Sequence, residues 1–197
     1  MTVLSARRSP APGRRREVTT SSLNWLRAGV LGANDGIVSI AATVLGVAGA
    51  STPVRTIAVA GIAALVAGAL SMAAGEYVSV SSQRDAERAA VRRGRVLPTL
   101  VVRGGEEFTN PWHAAVASLG AFVAGGLIPL VVVLAPWGAA RVPATFAAVV
   151  VALALTGLVA ARFSGAEPRR AVLRNIVGGS VAMAVTFAVG AFVGVAL

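Results

Sequence analysis

The sequence predicts an all-α membrane protein with five transmembrane helices per chain, the N-terminus cytoplasmic and the C-terminus on the opposite side. Two observations carry that prediction. Hydrophobic residues make up 56% of the chain and charged residues 13%, a balance that describes a polytopic membrane protein rather than a soluble domain. The basic residues, all of them Arg, stand between long apolar runs and never within them, as topology signals do.

Taken in order, Met1–Ser22 is rich in Arg, Ser and Pro and lacks the apolar core of a secretory signal; it reads as a disordered cytoplasmic tail. Residues 23–197 read as one membrane domain. A helix needs about 20 apolar residues to cross the hydrocarbon core, and the segments 28–50, 56–80, 114–135, 143–161 and 176–197 meet that length or come close to it. Gly61, Gly68, Gly75 and Pro129 lie inside these runs and are tolerable there, because membrane helices satisfy their backbone internally. Pro129 is expected to kink the third helix.

Arg7, Arg8, Arg14, Arg15, Arg16 and Arg27 precede the first segment, and Arg55 stands alone after it. Arg84, Arg88, Arg92, Arg93, Arg95 and Arg103 follow the second, Arg141 the third, and Arg162, Arg169, Arg170 and Arg174 the fourth. This alternation places the N-terminus and the 83–113 loop in the cytoplasm. The chain has no cysteine, which excludes disulfides and thiolate metal sites. A vocabulary of Arg with Ala, Val and Gly points to a GC-rich bacterial genome, hence to a bacterial inner membrane. The net charge of +10 does not imply nucleic-acid binding, because topology accounts for it and no aromatic residue precedes Trp25. Anionic membrane lipid is the expected surface partner.

One acid, Asp35, sits inside the first apolar segment. A carboxylate near the middle of a spanning helix costs about 2.5–3.5 kcal/mol on insertion scales, so its presence signals use. Of the remaining acids only Glu76 also lies within a span; Glu17, Asp85, Glu87, Glu106, Glu107 and Glu167 are in polar connections. At 1.5 Å rise per residue, Asp35 lies about 10 Å in from the cytoplasmic end of its helix, with Met72 and Glu76 about 12 and 6 Å in on the antiparallel second helix. Met72 and Glu76 are four apart and share a face. Two carboxylates and a thioether at similar depth suit a divalent first-row metal such as Fe²⁺, with Asn34, Ser39, Ser71 and Ser79 available to add neutral oxygens or to hold waters. A carboxylate is also a group on which metal and proton compete.

Structural roles account for the same residues in other ways. Gly32-x-x-x-Gly36 and Gly190-x-x-x-Gly194 read as close helix contacts. Met72 alone would be packing, and Glu76 is near enough to the boundary to reach Arg84 or Arg88. The string Asn34-Asp35-Gly36 would mark a tight turn in a soluble protein, but its apolar flanks are too long for a hairpin. His113 and the Glu106-Glu107 pair read as interfacial or solvated.

Four stretches, LRAGVLGANDGIVSIAATVLGVAGA (26–50), AGALSMAAGEYVSVSSQRDAERA (67–89), NPWHAAVASLGAFVAGGLIPL (110–130) and RAVLRNIVGGSVAMAVTFAVG (170–190), resemble the vacuolar iron transporter family. The resemblance implies a five-helix homodimer that exports Fe²⁺, and often Mn²⁺, from the cytoplasm in exchange for protons, along a pathway between the protomers. By position, Asp35, Met72 and Glu76 match the family's pathway residues. One departure stands out. The family's cytoplasmic metal-collecting domain, rich in Glu and Met, belongs between helices 2 and 3, where this chain has only the Arg-rich 83–113 stretch.

Three functions follow as expectations: proton-coupled export of Fe²⁺ or Mn²⁺; a non-transporting or accessory family member that lost transport with the collecting domain; and an intramembrane aspartyl protease. The last needs two facing acids that share a proton, and the motifs around Asp35 and Glu76 do not resemble one. The expected protein is therefore not an enzyme.

Overall fold

The computed structural model describes residues 20–93 and 110–196, and the regular elements within them are all helical. These are α1 (Thr20–Gly49), α2 (Val54–Arg92), α3 (Pro111–Leu134), α4 (Arg141–Ser164) and α5 (Pro168–Ala196), with a single 3₁₀ turn, Gly138–Ala140, before α4. All five long helices are sufficiently long and apolar to cross a membrane. The predicted tail up to residue 19 and the centre of the second connection, 94–109, fall outside the described residues.

Local chemistry sets the ends. α3 starts at Pro111, a residue suited to the first turn because it lacks the N–H that would go unpaired there. The Asn110 side chain accepts a hydrogen bond from the Trp112 N–H at 3.0 Å, capping the helix. α4 stops at Gly165, whose φ of 67° is the left-handed conformation that glycine adopts at helix C-termini. Between α1 and α2 the chain turns at Ser51, also left-handed at φ 57°, and the Thr52 hydroxyl donates to the Val47 carbonyl at 2.9 Å.

Two helices run past the limits expected from hydropathy. α1 begins at Thr20, inside the stretch assigned to the tail. α2 runs on through Arg92 where the 83–113 loop was expected. Residues 81–92 hold Ala, Arg, Gln and Glu with no Gly or Pro, so helix propensity continues after hydropathy ends. Gln83 donates to Glu87 one turn on, at 3.2 Å. With 39 residues, α2 spans about 58 Å at 1.5 Å per residue, well beyond a hydrocarbon core of about 30 Å. Pro129 lies inside α3, fully buried, and the helix continues past it to Leu134.

α1 is central and packs against every other helix. One of its faces carries Ile40 and Val44 into a core with Ile57, Leu65 and Ala69 of α2 and Phe122, Leu130 and Val133 of α3. The next face round carries Ile37, Ala41 and Leu45 into a second core with Val149, Ala152 and Leu153 of α4 and Met183 of α5. Away from these cores the surface stays apolar, as at Val59, Val66, Val116, Val131, Val151 and Phe192, which suits lipid as the surrounding solvent.

Close approach depends on glycine. A Cβ on Gly32 would come within 2.6 Å of the Ser118 carbonyl oxygen, and one on Gly36 would strike that of Phe122; Gly125 of α3 is set in the same way against the Ala33 carbonyl. On the other flank, Gly190 packs on the backbone of Gly46, and Gly194 would place a Cβ 2.6 Å from the Ala50 Cα. Both glycine pairs thus serve as small-residue contacts that let backbones meet.

These contacts run α1, α3 and α5 parallel to one another, with α2 and α4 antiparallel to them. Arg27, Arg84, Arg88, Arg92, Arg93, Arg162, Arg169, Arg170 and Arg174 consequently collect at one end of the bundle, and Arg55 and Arg141 at the other.

Replacing Gly36 by Ala forces a Cβ onto α3 backbone, with an expected destabilisation of about 1–3 kcal/mol. Gly120→Ala, on an exposed turn of α3 with nothing within 4 Å, is expected to be neutral or stabilising by up to about 1 kcal/mol. Thermal unfolding of the two variants in detergent gives the comparison.

Candidate functional site

Asp35 lies between glycine contacts on α1, where the helix is pressed against α3. Its side chain projects past that contact into a cleft between α1 and α2. The cleft is open along one side, offers about 250 Å³ and is lined by Asp35, Ser39 and Thr43 of α1, by Gly68, Ser71, Met72, Gly75 and Glu76 of α2, and by Phe122 of α3. That volume equals the liquid share of about eight waters, room for a divalent ion with part of its hydration shell. Antiparallel packing thus brings Asp35, Met72 and Glu76 to one cavity.

Hydroxyls extend the acid along α1. Ser39 donates to Asp35 Oδ1 at 3.0 Å, and the Thr43 hydroxyl donates to the Ser39 carbonyl at 2.9 Å. Asp35, Ser39 and Thr43 are spaced at i, i+4 and i+8, one polar stripe down an apolar helix. Thr43 is a lining residue that the reading of acids alone missed, and this spacing was the signal for it.

Glu76 is 7% exposed. Its Oε2 makes no hydrogen bond among the described residues, and the Arg27 guanidinium stands 3.9 Å away. An ion pair at that distance, with the arginine 58% exposed, is weak. A buried carboxylate oxygen without a hydrogen-bond donor is costly to maintain. Met72 is partly buried beside the α1–α2–α3 core and still contributes to the cleft wall.

The other sequence-based donors separate. Asn34 turns away from Asp35 into a different cavity, bounded by α1, α4 and α5, as the 100° step between neighbouring helix residues requires. Ser79 is exposed and does not line the cleft, whereas Ser71 does. Asp85 borders a third cavity with Arg84, Arg88 and Trp112 near the Arg-rich end. His113 is exposed, and Glu106 and Glu107 lie outside the described residues. Among the described residues no group of three His, Cys, Asp or Glu comes together. A cation held in the cleft would therefore take carboxylates with thioether, hydroxyl and water.

Fold and cleft together define a polytopic helical membrane protein with two acids and a thioether lining one cavity between its helices. The chain belongs to the VIT family, whose model matches residues 26–97 and 97–191. It is 47% identical over 170 residues to vacuolar iron transporter homolog 1 of Oryza sativa subsp. japonica, covering 84% of this chain and 72% of that protein. It is 42% identical to homolog 2 of the same plant (84% and 88% covered). To vacuolar iron transporter homolog 4 of Arabidopsis thaliana it is 40% identical (86% and 84%). The five apolar helices and the family match make this a multi-pass membrane protein; the relatives are plant proteins with vacuolar names and lend no support to the bacterial inner membrane expected from composition.

If the Arg27–Glu76 pair is as weak as its geometry implies, a double-mutant cycle of Arg27→Gln and Glu76→Gln, read by thermal unfolding in detergent, should give a coupling energy below about 1 kcal/mol.

Proposed function

We propose that the protein is a transporter that exports Fe²⁺ and/or Mn²⁺ from the cytoplasm in exchange for protons, through the cleft lined by Asp35, Met72 and Glu76. The observation that carries this reading is the convergence of both intramembrane acids and a thioether on one cavity, one acid keeping a buried oxygen that accepts no hydrogen bond. Oxygen ligands accept hard divalent ions, and sulfur favours the borderline ones among them. Membership of the VIT family and relatives named as iron transporter homologs support the same cargo.

Under this reading the Arg-rich end is cytoplasmic. Export of a dication against an inside-negative potential costs about 2.3 kcal/mol per charge per 100 mV, roughly 4.6 in all. Proton entry can offset that cost, and Asp35 and Glu76 couple the two flows because each carboxylate binds either a proton or metal. Ser39 holds the Asp35 carboxylate oriented toward the cleft. Arg27 acts as a mobile counterion that Glu76 releases when a cation arrives.

The site works as a homodimer in this proposal. The cleft is open along one side, and a second copy would close it with its own Asp35, placing the pathway beside α1. The short α2–α3 connection lies where the family's collecting domain would be, and the family match divides within it, at Leu97. Metal then reaches the cleft directly from solution or from another protein.

Reconstituted into liposomes, the protein is expected to show Fe²⁺- or Mn²⁺-dependent proton flux that Asp35→Ala abolishes while the fold persists. Unchanged flux in the variant refutes the assigned pathway; failure of the unmodified protein to move either metal favours the non-transporting, accessory reading. Because the chain has no cysteine, Ser71→Cys in the cleft wall reports the dimer directly. Oxidation in membranes should yield a disulfide-linked species of twice the 19.7 kDa chain mass, and a product that stays monomeric counts against the dimer.

A further inference from the structure

A second cavity, of about 420 Å³, lies at the Arg-rich end on the far side of α1 from the Asp35 cleft, between α1, α4 and α5. Its polar walls include Arg27, Asn34, Arg174 and Asn175, and no acid lines it. Arg174 makes no ion pair or hydrogen bond among the described residues. Asn34 Oδ1 is buried there without a hydrogen-bond partner. The rim is apolar and outward-facing: Leu31 is 46% exposed and Phe163 57%.

From this arrangement we propose that the cavity is a binding site for one anionic phospholipid per protomer. The Arg174 guanidinium, with no acid on the cavity walls, calls for a phosphate, which arginine binds through paired N–H donors; Arg27 adds positive charge at the rim although its guanidinium stands 3.9 Å from Glu76. The buried Asn34 Oδ1, an acceptor, calls for a hydroxyl donor on the headgroup beside that phosphate, because an unpartnered buried polar atom is costly. Leu31 and Phe163 supply a surface over which an acyl chain lies, so the ligand is amphiphilic. Basic pockets between transmembrane helices at the cytoplasmic surface hold anionic headgroups by this combination of charge and depth. The site differs from the general attraction of an Arg-rich surface, because it concentrates the interaction on Arg174 and leaves nearby Arg169, which does not line the cavity, without a role.

The test is a thermal melt of the detergent-solubilised protein titrated with phosphatidylglycerol, phosphatidylcholine or inorganic phosphate, with native mass spectrometry to count retained lipid. Phosphatidylglycerol is expected to raise the melting temperature by about 5 °C at saturation and to remain bound at one per protomer, with phosphatidylcholine inert. Arg174→Gln, at an exposed position where the fold does not depend on the side chain, should remove both effects, and Arg169→Gln should keep them. Equal losses in the two variants would reduce the effect to surface charge and overturn the site. A rise reproduced by inorganic phosphate alone would overturn the lipid assignment, and no rise with phosphatidylglycerol would overturn the proposal outright.

Discussion

Helix α1 has to carry an ionisable side chain through the hydrocarbon layer while packing against all four other helices, and the rest of the structure depends on how it does both. In a bilayer, apolar burial does not drive helices together, because lipid is as apolar as leucine; close van der Waals contact does. Gly32, Gly36 and Gly125 let α1 and α3 meet backbone to backbone, and Gly46, Gly190 and Gly194 do the same for α1 and α5. With those faces closed, the Asp35 carboxylate has the α1–α2 cleft to enter. The glycines flanking Asp35 are therefore part of the site: they press the helix against α3 and leave the acid on the open side.

That division explains which features were legible in the sequence. The five spans were, because hydropathy reports them directly, and so was the meeting of Asp35 with Met72 and Glu76, because antiparallel neighbours with a fixed rise per residue leave little freedom in depth. The end of α2 was not. Residues 81–92 are polar, and a polar helix that leaves the membrane has no hydropathy signature even though its composition favours helix. Asn34 was misplaced for a different reason: adjacency in sequence to Asp35 is a 100° separation around the helix, enough to send one side chain to the cleft and the other to the opposite cavity. Thr43, two turns beyond Asp35, was legible in principle through its spacing from Ser39.

Electrostatics sets a tension at the Arg-rich end. Nine arginines crowd the described residues there, and a dication approaching that surface meets repulsion, which exposed charges exert within a Debye length of about 8 Å at physiological ionic strength. Asp85, Glu87 and Glu167 moderate it locally, Glu167 by pairing with Arg170 at 2.7 Å. Anionic lipid gathered around the same arginines would offset more of that charge and would make the surrounding membrane part of the field at that end of the bundle.

Arg27 joins these two themes. It borders the cavity that contains Arg174 and stands 3.9 Å from Glu76 at the Asp35 cleft. Its guanidinium is 58% exposed and carried on a long flexible stem. Under the two proposals, a cation in the cleft and an anion in the lateral cavity would act on it in the same direction, the first by repelling it from Glu76 and the second by attracting it. Two ligands that bias one side chain in the same direction assist each other's binding, and the assistance is reciprocal. Glu76, the acid that the sequence places near the membrane boundary, would thereby be linked to the lateral cavity through a single arginine on the central helix, which stands 3.9 Å from Glu76 and lines that cavity.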